Sequence, residues 1–331
     1  MFKKKILIIS CLPLKPVKSG FQNTNYLLFK FLKKYHRVNF ISINNKNRVD
    51  PIINLKINKS FFNQIDKINP NIIFITTTKL FFYLNNFLKN KKIKPIIICH
   101  DLYNFRKKFF KKIKIKDKNS ISKYQELKLI RESNFIFDFS KKEEKYLLEN
   151  NIPKKKLIYT NTPIEIEKNL YKYKKKYDFI FSGSNWVQNK LNLKSLFKNK
   201  NNFYNDKKII IMGADRIKKK FVNSVNFNKK LYLESKVGLA PINHKYGRNV
   251  KIFEMLSYGL PVFTNIDLSN YGLKDKTHYF LVKKNNWDLI INKFFYKKKF
   301  LDFVGKNARK WSVQNSDSKK CFKIILKKIN K

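Results

Sequence analysis

Two charged side chains, Lys251 and Glu254, lie one helical turn apart and could together bind a phosphorylated ligand. They belong to the stretch KYGRNVKIFEMLSYGLPVF, residues 245–263, in which a short apolar helix is predicted to begin near Arg248 or Asn249. The amide N–H groups at a helix start are unpaired and point outward, so they suit a phosphate group. The lysine adds positive charge, and the glutamate can accept hydrogen bonds from hydroxyl groups. A diphosphate joined to a ribose would meet all these groups at once.

The residues around this pair support the same interpretation, although a purely structural one stays open. Gly247 lets the backbone approach a ligand closely, and Arg248 adds a second positive charge. Gly259 is predicted to end the helix in a left-handed conformation, and Pro261 opens the next strand. The alternative is a surface helix on which the lysine and the glutamate form an i, i+3 ion pair.

The first half of the chain has its own candidate, His100, at the end of the apolar run PIIICH. An imidazole there can donate a hydrogen bond to a sugar hydroxyl or to a pyrophosphate. A structural histidine is the alternative, and a general-base role is disfavoured. Gly20 follows the first predicted strand in a loop with one glycine. That loop is not G-x-G-x-x-G, so a dinucleotide-dependent dehydrogenase is disfavoured.

Three further candidates stand in SGSNWVQNK, residues 182–190. Gly183 and Ser184 could bring the backbone close to a nucleotide, and Lys190 could clamp a diphosphate. Because lysine is abundant throughout the chain, no single lysine is a strong candidate by itself.

Short apolar runs alternate with longer amphipathic segments along the whole chain. Near-continuous apolar runs are typical of parallel strands that are buried on both faces. Strand–helix–strand repetition predicts right-handed crossovers and an α/β, doubly wound sheet. The predicted strands are residues 6–10, 38–43, 71–77, 95–100, 134–140 and 156–161 in the first half, and 178–184, 208–214, 236–242, 260–265 and 279–284 in the second.

The pattern stops once and restarts, and 331 residues are more than a single core usually uses, so two domains are predicted. Residues 162–177 are polar and charged without a clear period, and we interpret them as the linker. The predicted domains are 1–165 and 166–310, both Rossmann-like, followed by a C-terminal helix over 311–331 that could cross back to the first. Ligands of such sheets bind beyond the carboxyl ends of the strands, so a cleft is expected between the domains.

The stretch GRNVKIFEMLSYGLPV resembles the G-x-x-x-K-x-x-E-x-x-x-x-G-x-P-V signature of retaining glycosyltransferase family 4, which has the GT-B fold. Four other segments resemble further parts of that family: residues 133–147, 156–163, 179–197 and 304–316. The similarity therefore spans most of the chain. It implies two Rossmann-like domains that face each other across a cleft, the first binding the acceptor and the second the nucleotide sugar.

The resemblance also implies roles for individual residues. Glu254 would bind the nucleotide ribose, while Lys251 and Arg248 would lie near the helix end that receives the diphosphate. His100 would contact the donor sugar near the reacting carbon. One position departs from the family pattern, because many members have a glutamate where this chain has Tyr246. How the sugar is bound, and which sugar it is, therefore stay open.

Together these arguments give one set of candidate site residues. His100 and Glu254 are the candidate catalytic residues. The candidate donor-binding residues are Gly20, Gly183, Ser184, Lys190, Gly247, Arg248, Lys251 and Glu254. No H-E-x-x-H, Walker, G-x-S-x-G or Asp-x-Asp motif is present, so the GT-B interpretation predicts no catalytic metal and no cofactor apart from the nucleotide sugar as substrate.

The formal net charge of +52 is extreme, yet only seven of the 74 basic residues are arginine. Heavy use of Lys, Asn, Ile, Phe and Tyr suggests an A/T-rich genome rather than selection for nucleic-acid contacts, which favour arginine. Adaptation to an anionic membrane surface and nucleic-acid binding are the alternatives. The segment FRKKFFKKIKIKDK, residues 105–118, could be an interfacial helix on anionic lipid. It could equally be a solvated helix with one apolar face.

Cysteine usage and the first residues bear on location. Three scattered cysteines, Cys11, Cys99 and Cys321, form neither a disulfide framework nor a metal cluster, which fits a reducing cytoplasm. MFKKKILIISCLPL has the lysines and apolar run of a signal peptide, but the run is short and no cleavage pattern follows. A first buried strand is therefore predicted. No run approaches the ~20 apolar residues of a membrane span.

The sequence thus predicts a metal-independent retaining glycosyltransferase of cell-surface polysaccharide synthesis. It would move a sugar from a nucleotide diphosphate sugar to a glycan or lipid-linked acceptor, in the cytoplasm or peripherally on the inner face of the cell membrane, without a specific nucleic-acid partner. Alternatives are a non-catalytic GT-B protein that binds a nucleotide sugar or glycan, and a basic polyanion-binding protein. A GT-B sugar-nucleotide epimerase is a third, but it needs carboxylates for proton transfer that the sequence does not place.

Overall fold

The computed structural model describes residues 3–17, 19–43, 57–114, 121–168, 170, 173–183, 187–197, 204, 206–213, 222–243, 249–283 and 286–330. Within these ranges the chain forms two compact units. The first contains the residues up to Pro163 and those from Lys319 onward, and the second lies within Ile164–Ser318.

Both units alternate strands with helices. The first contains β1 Lys5–Ser10, α1 Gly20–Leu32, β2 Arg37–Ser42, α2 Lys59–Ile68, β3 Ile72–Ile75, α3 Thr78–Asn90, β4 Ile96–Cys99, α4 Tyr103–Lys112, α5 Lys123–Glu132, β5 Phe135–Asp138, α6 Lys141–Glu149 and β6 Leu157–Tyr159. The second contains β7 Tyr177–Ser182, α7 Val187–Leu196, β8 Ile209–Met212, β9 Val222–Val225, α8 Lys230–Glu234, β10 Ser235–Ala240, α9 Val250–Ser257, β11 Val262–Thr264, β12 Phe280–Leu281, α10 Trp287–Phe295 and α11 Lys298–Asn315, before a last helix, α12 Ser318–Ile329.

The first unit is built on a parallel six-stranded sheet in the order β2-β1-β3-β4-β5-β6. Successive residues of β1 fill different cores, since side chains alternate between the two faces of a strand. Leu7 and Ile9 pack with residues of α2, α3 and α5 on one face. Ile6 and Ile8 pack with residues of α1 and α12 on the other. Burial on both faces explains why the strands read as continuous apolar runs.

The second unit has a parallel six-stranded sheet in the order β12-β11-β10-β7-β8-β9. Ile180 of β7 packs into the core that contains α9, while Phe179 and Phe181 pack into the opposite core with α7 and α10. Helix α11 contributes to both cores. Both sheets are therefore doubly wound, as the sequence pattern predicts.

Helix α9 is held in place by close backbone packing. A Cβ at Gly238 of β10 would lie 2.5 Å from Sδ of Met255, so the helix sits tightly over the strand because that residue is a glycine. Gly259 ends the helix with φ of 70°, which confirms the predicted left-handed conformation. A Cβ at Gly305 of α11 would clash with the carbonyl oxygen of Gly259. These glycines fix the orientation of α9.

The segment 311–331 is not the single helix that the sequence suggested. Helix α11 ends at Asn315, and α12 begins at Ser318. Between these helices the backbone pairs with Ile164, in the segment predicted to be the linker. The amide of Ile164 donates to the carbonyl of Ser316 over 2.7 Å, and the amide of Ser318 donates to the carbonyl of Ile164 over 2.9 Å. Phe322, Ile325 and Ile329 of α12 then join the core of the first unit.

The basic aromatic segment also differs from the interfacial helix considered above. In α4, Phe109 and Phe110 are buried, and the Phe105 ring packs against Tyr146 with ring centres 4.7 Å apart. The aromatic side chains are therefore part of the unit's core, and lysines make up the exposed face. This is the solvated helix with one apolar face; residues 115–118 of the segment lie outside the described residues.

Every predicted strand has a counterpart among the strands of the structure. The start that resembles a signal peptide forms β1, as predicted. The pattern missed β9, whose sequence VNSV has no apolar run. The three cysteines are buried and form no disulfide. Across the described ranges, none of the helices has the length and apolar character that a membrane crossing requires.

We expect Gly305→Ala to destabilise the second unit by about 1–3 kcal/mol, because the added methyl group must push α11 away from the backbone at Gly259. The free energy of unfolding can be measured by urea denaturation followed through tryptophan fluorescence. Lys306→Ala, at the exposed neighbouring position, is the control and should change it by less than about 0.5 kcal/mol. Equal stability of both variants would contradict the packing described here.

Candidate functional site

The strand order of the second sheet identifies where a ligand would bind. The order reverses between β7 and β10, and doubly wound sheets bind ligands beyond the carboxyl ends of the strands at such a reversal. Ser182 and Gly183 stand at the carboxyl end of β7, and α9 is the helix that follows β10. The residues that the sequence placed on α9 and after β7 therefore belong to one edge of one sheet.

Lys251 and Glu254 do not pair with each other. The Lys251 ammonium donates a hydrogen bond to Oδ1 of Asn189 over 2.6 Å and lies 4.4 Å from the centre of the Phe181 ring. Among the residues that the structure describes, Lys251 has no ion-pair partner. The surface helix with an i, i+3 ion pair is therefore not what forms.

Burial lowers the pKa of Lys251 to about 7. The ammonium has lost water and has gained an amide oxygen and an aromatic ring, but no anion from the described part of the chain, so its charged form is poorly compensated. A phosphate group beside Lys251 would favour the charged form and raise this pKa again.

Glu254 has different surroundings from Lys251 and is 4% exposed. Its Oε2 lies 3.3 Å from the hydroxyl of Tyr232, and that hydroxyl lies 2.9 Å from Oγ of Ser182. Burial, followed by the negative charge of Glu254, raises the pKa of Tyr232 well above its usual range, so the phenol keeps its proton. The carboxylate is thus linked to the end of β7 through a protonated tyrosine.

Gly183 has a structural part in the same group. A Cβ at this position would lie 2.8 Å from Cγ of Asn189, the residue that accepts the hydrogen bond of Lys251. Gly213, which follows β8 with φ of 82°, is equally close, since its Cβ would lie 2.8 Å from the carbonyl oxygen of Gly183. Gly183 therefore leaves the room that Asn189 occupies beside it, and Gly213 lets the backbone of the next strand end approach Gly183.

The other sequence candidates of this unit stand as follows. Lys190 is exposed on α7. The residue before it, Asn189, is the one that contacts Lys251. Ser184, Gly247 and Arg248 lie outside the described residues, as does Tyr246 at the position that departs from the family pattern. Their roles stay predictions.

In the first unit, His100 follows β4 and is 7% exposed. Its Nε2 lies 3.1 Å from Oδ1 of Asn25 on α1, and its ring packs against Phe21 at 4.3 Å between ring centres. Because an amide oxygen accepts, Nε2 carries a proton in this arrangement. Gly20 is the first residue of α1, where the side chain of Ser19 accepts the amide N–H of Gln22. Gly20 and His100 therefore contribute to the carboxyl edge of the first sheet.

Two buried carboxylates hold the loop that carries His100. Glu143 accepts the amide N–H of Leu102 over 3.2 Å. Glu126 accepts the amides of Tyr103 and Asn104 over 2.8 and 3.1 Å, together with a hydroxyl of α3. The start of α4 is therefore capped by side chains from α5 and α6, although no residue of its own caps it.

Cys99, Asp138 and Glu143 also meet in this region, with ligand atoms within 4.8 Å of one another. Both carboxylates accept backbone amides: Glu143 that of Leu102, and Asp138 those of the two residues that follow it. Burial raises the pKa of the Cys99 thiol, which disfavours the thiolate that binds metals. We interpret the group as part of the loop support.

Sequence reasoning missed Ser182, Asn189 and Tyr232. Ser182 lies within the predicted strand 178–184, and Asn189 precedes Lys190, whose charge makes it the candidate of that segment. Tyr232 lies on a five-residue helix, α8, outside the predicted strands. A tyrosine three residues before an apolar strand was the only signal available, and many buried tyrosines share it.

The fold is similar to those of solved GT-B glycosyltransferases. Sucrose-phosphate synthase from Thermosynechococcus elongatus aligns over 98% of this chain and 98% of its own, with a TM-score of 0.76 and 11% identity. Anabaena HepE, solved in complex with UDP and glucose, covers 99% of both chains with a TM-score of 0.71 and 11% identity. WaaG, a glycosyltransferase involved in lipopolysaccharide biosynthesis, covers 96% of this chain and 99% of its own, at a TM-score of 0.68 and 9% identity.

These similarities confirm the predicted GT-B fold. At such low identities they establish the fold alone. No family model matches the sequence, and no curated protein sequence matches it.

Glu126 generates a prediction about stability. Burial raises its pKa from 4.5 to about 6, so folding favours the protonated form. The stability that it contributes is present below pH 4.5 and is lost as the pH rises through about 6. We expect the difference in free energy of unfolding between the wild type and Glu126→Gln to fall by about 1.5 kcal/mol from pH 4.5 to 6.5, in urea denaturation at each pH. Glu149→Gln, an exposed position on α6, is the control, and an identical profile for both variants would contradict the assignment.

Proposed function

We propose that this chain is a retaining glycosyltransferase that moves a sugar from a nucleotide diphosphate sugar to a glycan or lipid-linked acceptor. The observation that carries the proposal is the separation of Lys251 and Glu254 to different partners at the switch point of the second sheet. An ammonium without an anionic partner among the described residues suits a diphosphate. A carboxylate one turn further along suits the hydroxyl groups of the attached ribose.

The start of α9 supports the same assignment. No described side chain caps it, and the helix begins directly after the segment that follows β10. The N–H groups and the dipole of a helix start favour an anion there. A nucleoside diphosphate that spans the first turn would therefore place its phosphates at the helix start and its ribose near Glu254.

The chemistry that follows needs little from side chains beyond charge and position. As the bond between sugar and diphosphate breaks, negative charge accumulates on the diphosphate and an oxocarbenium-like sugar forms. Lys251 and the start of α9 would stabilise the departing diphosphate, which assigns to cationic groups the task that a metal ion performs in other transferases. The acceptor hydroxyl would attack from the face that the diphosphate leaves and would pass its proton to the departing diphosphate. The anomeric configuration would therefore be retained.

The two units have different parts in this proposal. Residues 166–310 would bind the nucleotide sugar, and residues 1–165 the acceptor. In the first unit His100 would contact the sugar, oriented by Asn25. In the second unit the exposed Lys190 would clamp the diphosphate, and Gly183 would bring the backbone close to the nucleotide.

The proposed acceptor is a surface glycan or its lipid-linked precursor. The similar structure WaaG is involved in lipopolysaccharide biosynthesis, which is the same broad class of product. Contact with an anionic membrane would be electrostatic, through the exposed lysines of α4, because the aromatic residues of that helix are buried. A cytoplasmic protein, peripheral on the inner face of the cell membrane, fits these properties.

The proposal predicts that at least one nucleotide sugar raises the melting temperature of the wild type in a thermal-shift screen. We expect Glu254→Ala to lower the affinity for that donor by about tenfold or more, since the substitution removes hydrogen bonds from ribose hydroxyls to a charged group. Glu254→Gln should fall in between, and Asp302→Ala, on an exposed position of α11, should match the wild type. Transfer to mixed glycan acceptors, with the anomeric configuration of the product read by NMR, tests the reaction itself.

Three outcomes would count against the proposal. A donor that stabilises wild type and Glu254→Ala equally would remove Glu254 from the site. A donor that binds but is never transferred would favour the non-catalytic binding protein. Binding of polyanions alone, with a steep dependence on salt and no competition by nucleotide sugars, would favour the polyanion-binding alternative.

The pKa of Lys251 predicts that donor binding takes up a proton. At pH 8.5 the side chain is largely neutral in the free protein, and a bound diphosphate would restore its charge. Isothermal titration calorimetry in buffers of different ionisation enthalpy should therefore show uptake approaching one proton at pH 8.5 and much less at pH 6.

Lys251→Met should abolish this uptake as well as weaken binding. Lys190→Met is the matched control, because it removes an exposed lysine of the same site and should leave the proton uptake in place. Uptake that persists in Lys251→Met would show that another group titrates on binding.

A further inference from the structure

We propose that Tyr232 is a positioning residue that holds the Glu254 carboxylate in the orientation needed for ribose, with Ser182 fixing the hydroxyl of Tyr232. This inference rests on the proposed function and adds a specificity-determining role at the same site. It is carried by a run of three buried side chains from three elements, Ser182 on β7, Tyr232 on α8 and Glu254 on α9.

The direction of these hydrogen bonds follows from the groups involved. An ionised carboxylate can only accept, so the contact of 3.3 Å requires the Tyr232 hydroxyl to donate to Oε2 of Glu254. That hydroxyl has one hydrogen. The contact of 2.9 Å to Ser182 must therefore be a hydrogen bond that Ser182 donates. The order is Ser182 to Tyr232 to Glu254, and each group has one fixed role.

The surroundings keep Tyr232 in this role. The side chain has no exposed surface, and its ring packs against Tyr258 with ring centres 5.2 Å apart. Burial and the neighbouring carboxylate raise its pKa, so the hydroxyl remains a donor. Ser182 is 3% exposed at the end of a core strand. Ser182 and Tyr232 thus hold the carboxylate from a strand end and a helix of the fold.

An oriented carboxylate has a consequence for specificity. A site built to hydrogen-bond two hydroxyl groups discriminates strongly against a ligand that lacks them, because its buried polar groups are then left unpaired. If Tyr232 sets the orientation of Glu254, the loss of its hydroxyl should lower the affinity for ribonucleotides selectively. If Tyr232 were purely structural, the same loss would lower the affinity for ribose-containing and deoxyribose-containing ligands alike.

The experiment compares UDP, GDP and ADP with their 2′,3′-dideoxy analogues by isothermal titration calorimetry, on the wild type and on Tyr232→Phe. For the diphosphate that the wild type binds, we expect the ribose form to bind about 10 to 100 times more tightly than the dideoxy form. In Tyr232→Phe this ratio should fall by about five- to tenfold, while the affinity for the dideoxy form changes by less than about twofold.

Two further variants separate positioning from folding. Tyr279→Phe is the matched control, because Tyr279 is also buried in the second unit and its hydroxyl lies 3.1 Å from the carboxylate of Asp267. It should leave the ribose-to-dideoxy ratio unchanged. Ser182→Ala should lower the ratio in the same direction as Tyr232→Phe but less, and it carries the test if Tyr232→Phe does not fold. In a Glu254→Ala background, Tyr232→Phe should have no further effect on the ratio.

Each outcome decides a different point. An unchanged ratio in both Tyr232→Phe and Ser182→Ala, or equal weakening of both nucleotide forms, would overturn the positioning role while leaving the proposed function intact. Failure of the wild type to bind any of the three diphosphates would overturn the proposed function, and this inference with it. A selective loss of the ribose preference in Tyr232→Phe but not in Tyr279→Phe supports both.

Discussion

The contact between α9 and β10 is the constraint on which the candidate site depends. Gly238 brings the helix so close that a single added carbon would meet Met255. Just after the same carboxyl end of the helix, the backbone at Gly259 touches that of Gly305 on α11. With this end of α9 fixed, the lysine contacts Asn189 on α7 and the glutamate contacts Tyr232 on α8. The positions of the two charged side chains thus depend on glycines that allow close packing around α9.

The two charged side chains have different surroundings. Glu254 faces the hydroxyl of Tyr232. Lys251 faces an amide oxygen and an aromatic ring, and burial disfavours its charged form. A carboxylate that already contacts a hydroxyl group suits the hydroxyl groups of a ligand. A group whose charge depends on an anion responds to a phosphate, and this difference is the physical basis for assigning one to ribose and the other to diphosphate.

The separation of interacting residues along the sequence explains how much of the fold and the candidate site could be predicted. The strands were found because burial on both faces leaves a continuous apolar run, whereas VNSV of β9 leaves none. Lys251 and Glu254 were found because their spacing and the flanking glycines are local features of the sequence. Their partners, Asn189 and Tyr232, lie 62 and 22 residues away along the chain. A hydrogen bond between such distant residues leaves no periodic pattern, so only the fold shows it.

The same reasoning separates the tasks of the two units. The start of α4, beside His100, would otherwise be a second place for a phosphate, since its amides are at a helix start near a sheet's carboxyl edge. Glu126 and Glu143 accept three of those amides, and their negative charge opposes another anion. In the second unit the described start of α9 has no side-chain cap, and a lysine follows within its first turn. The described surroundings therefore favour an anion at the start of α9 over one at the start of α4, which is the physical reason for proposing the diphosphate site in the second unit.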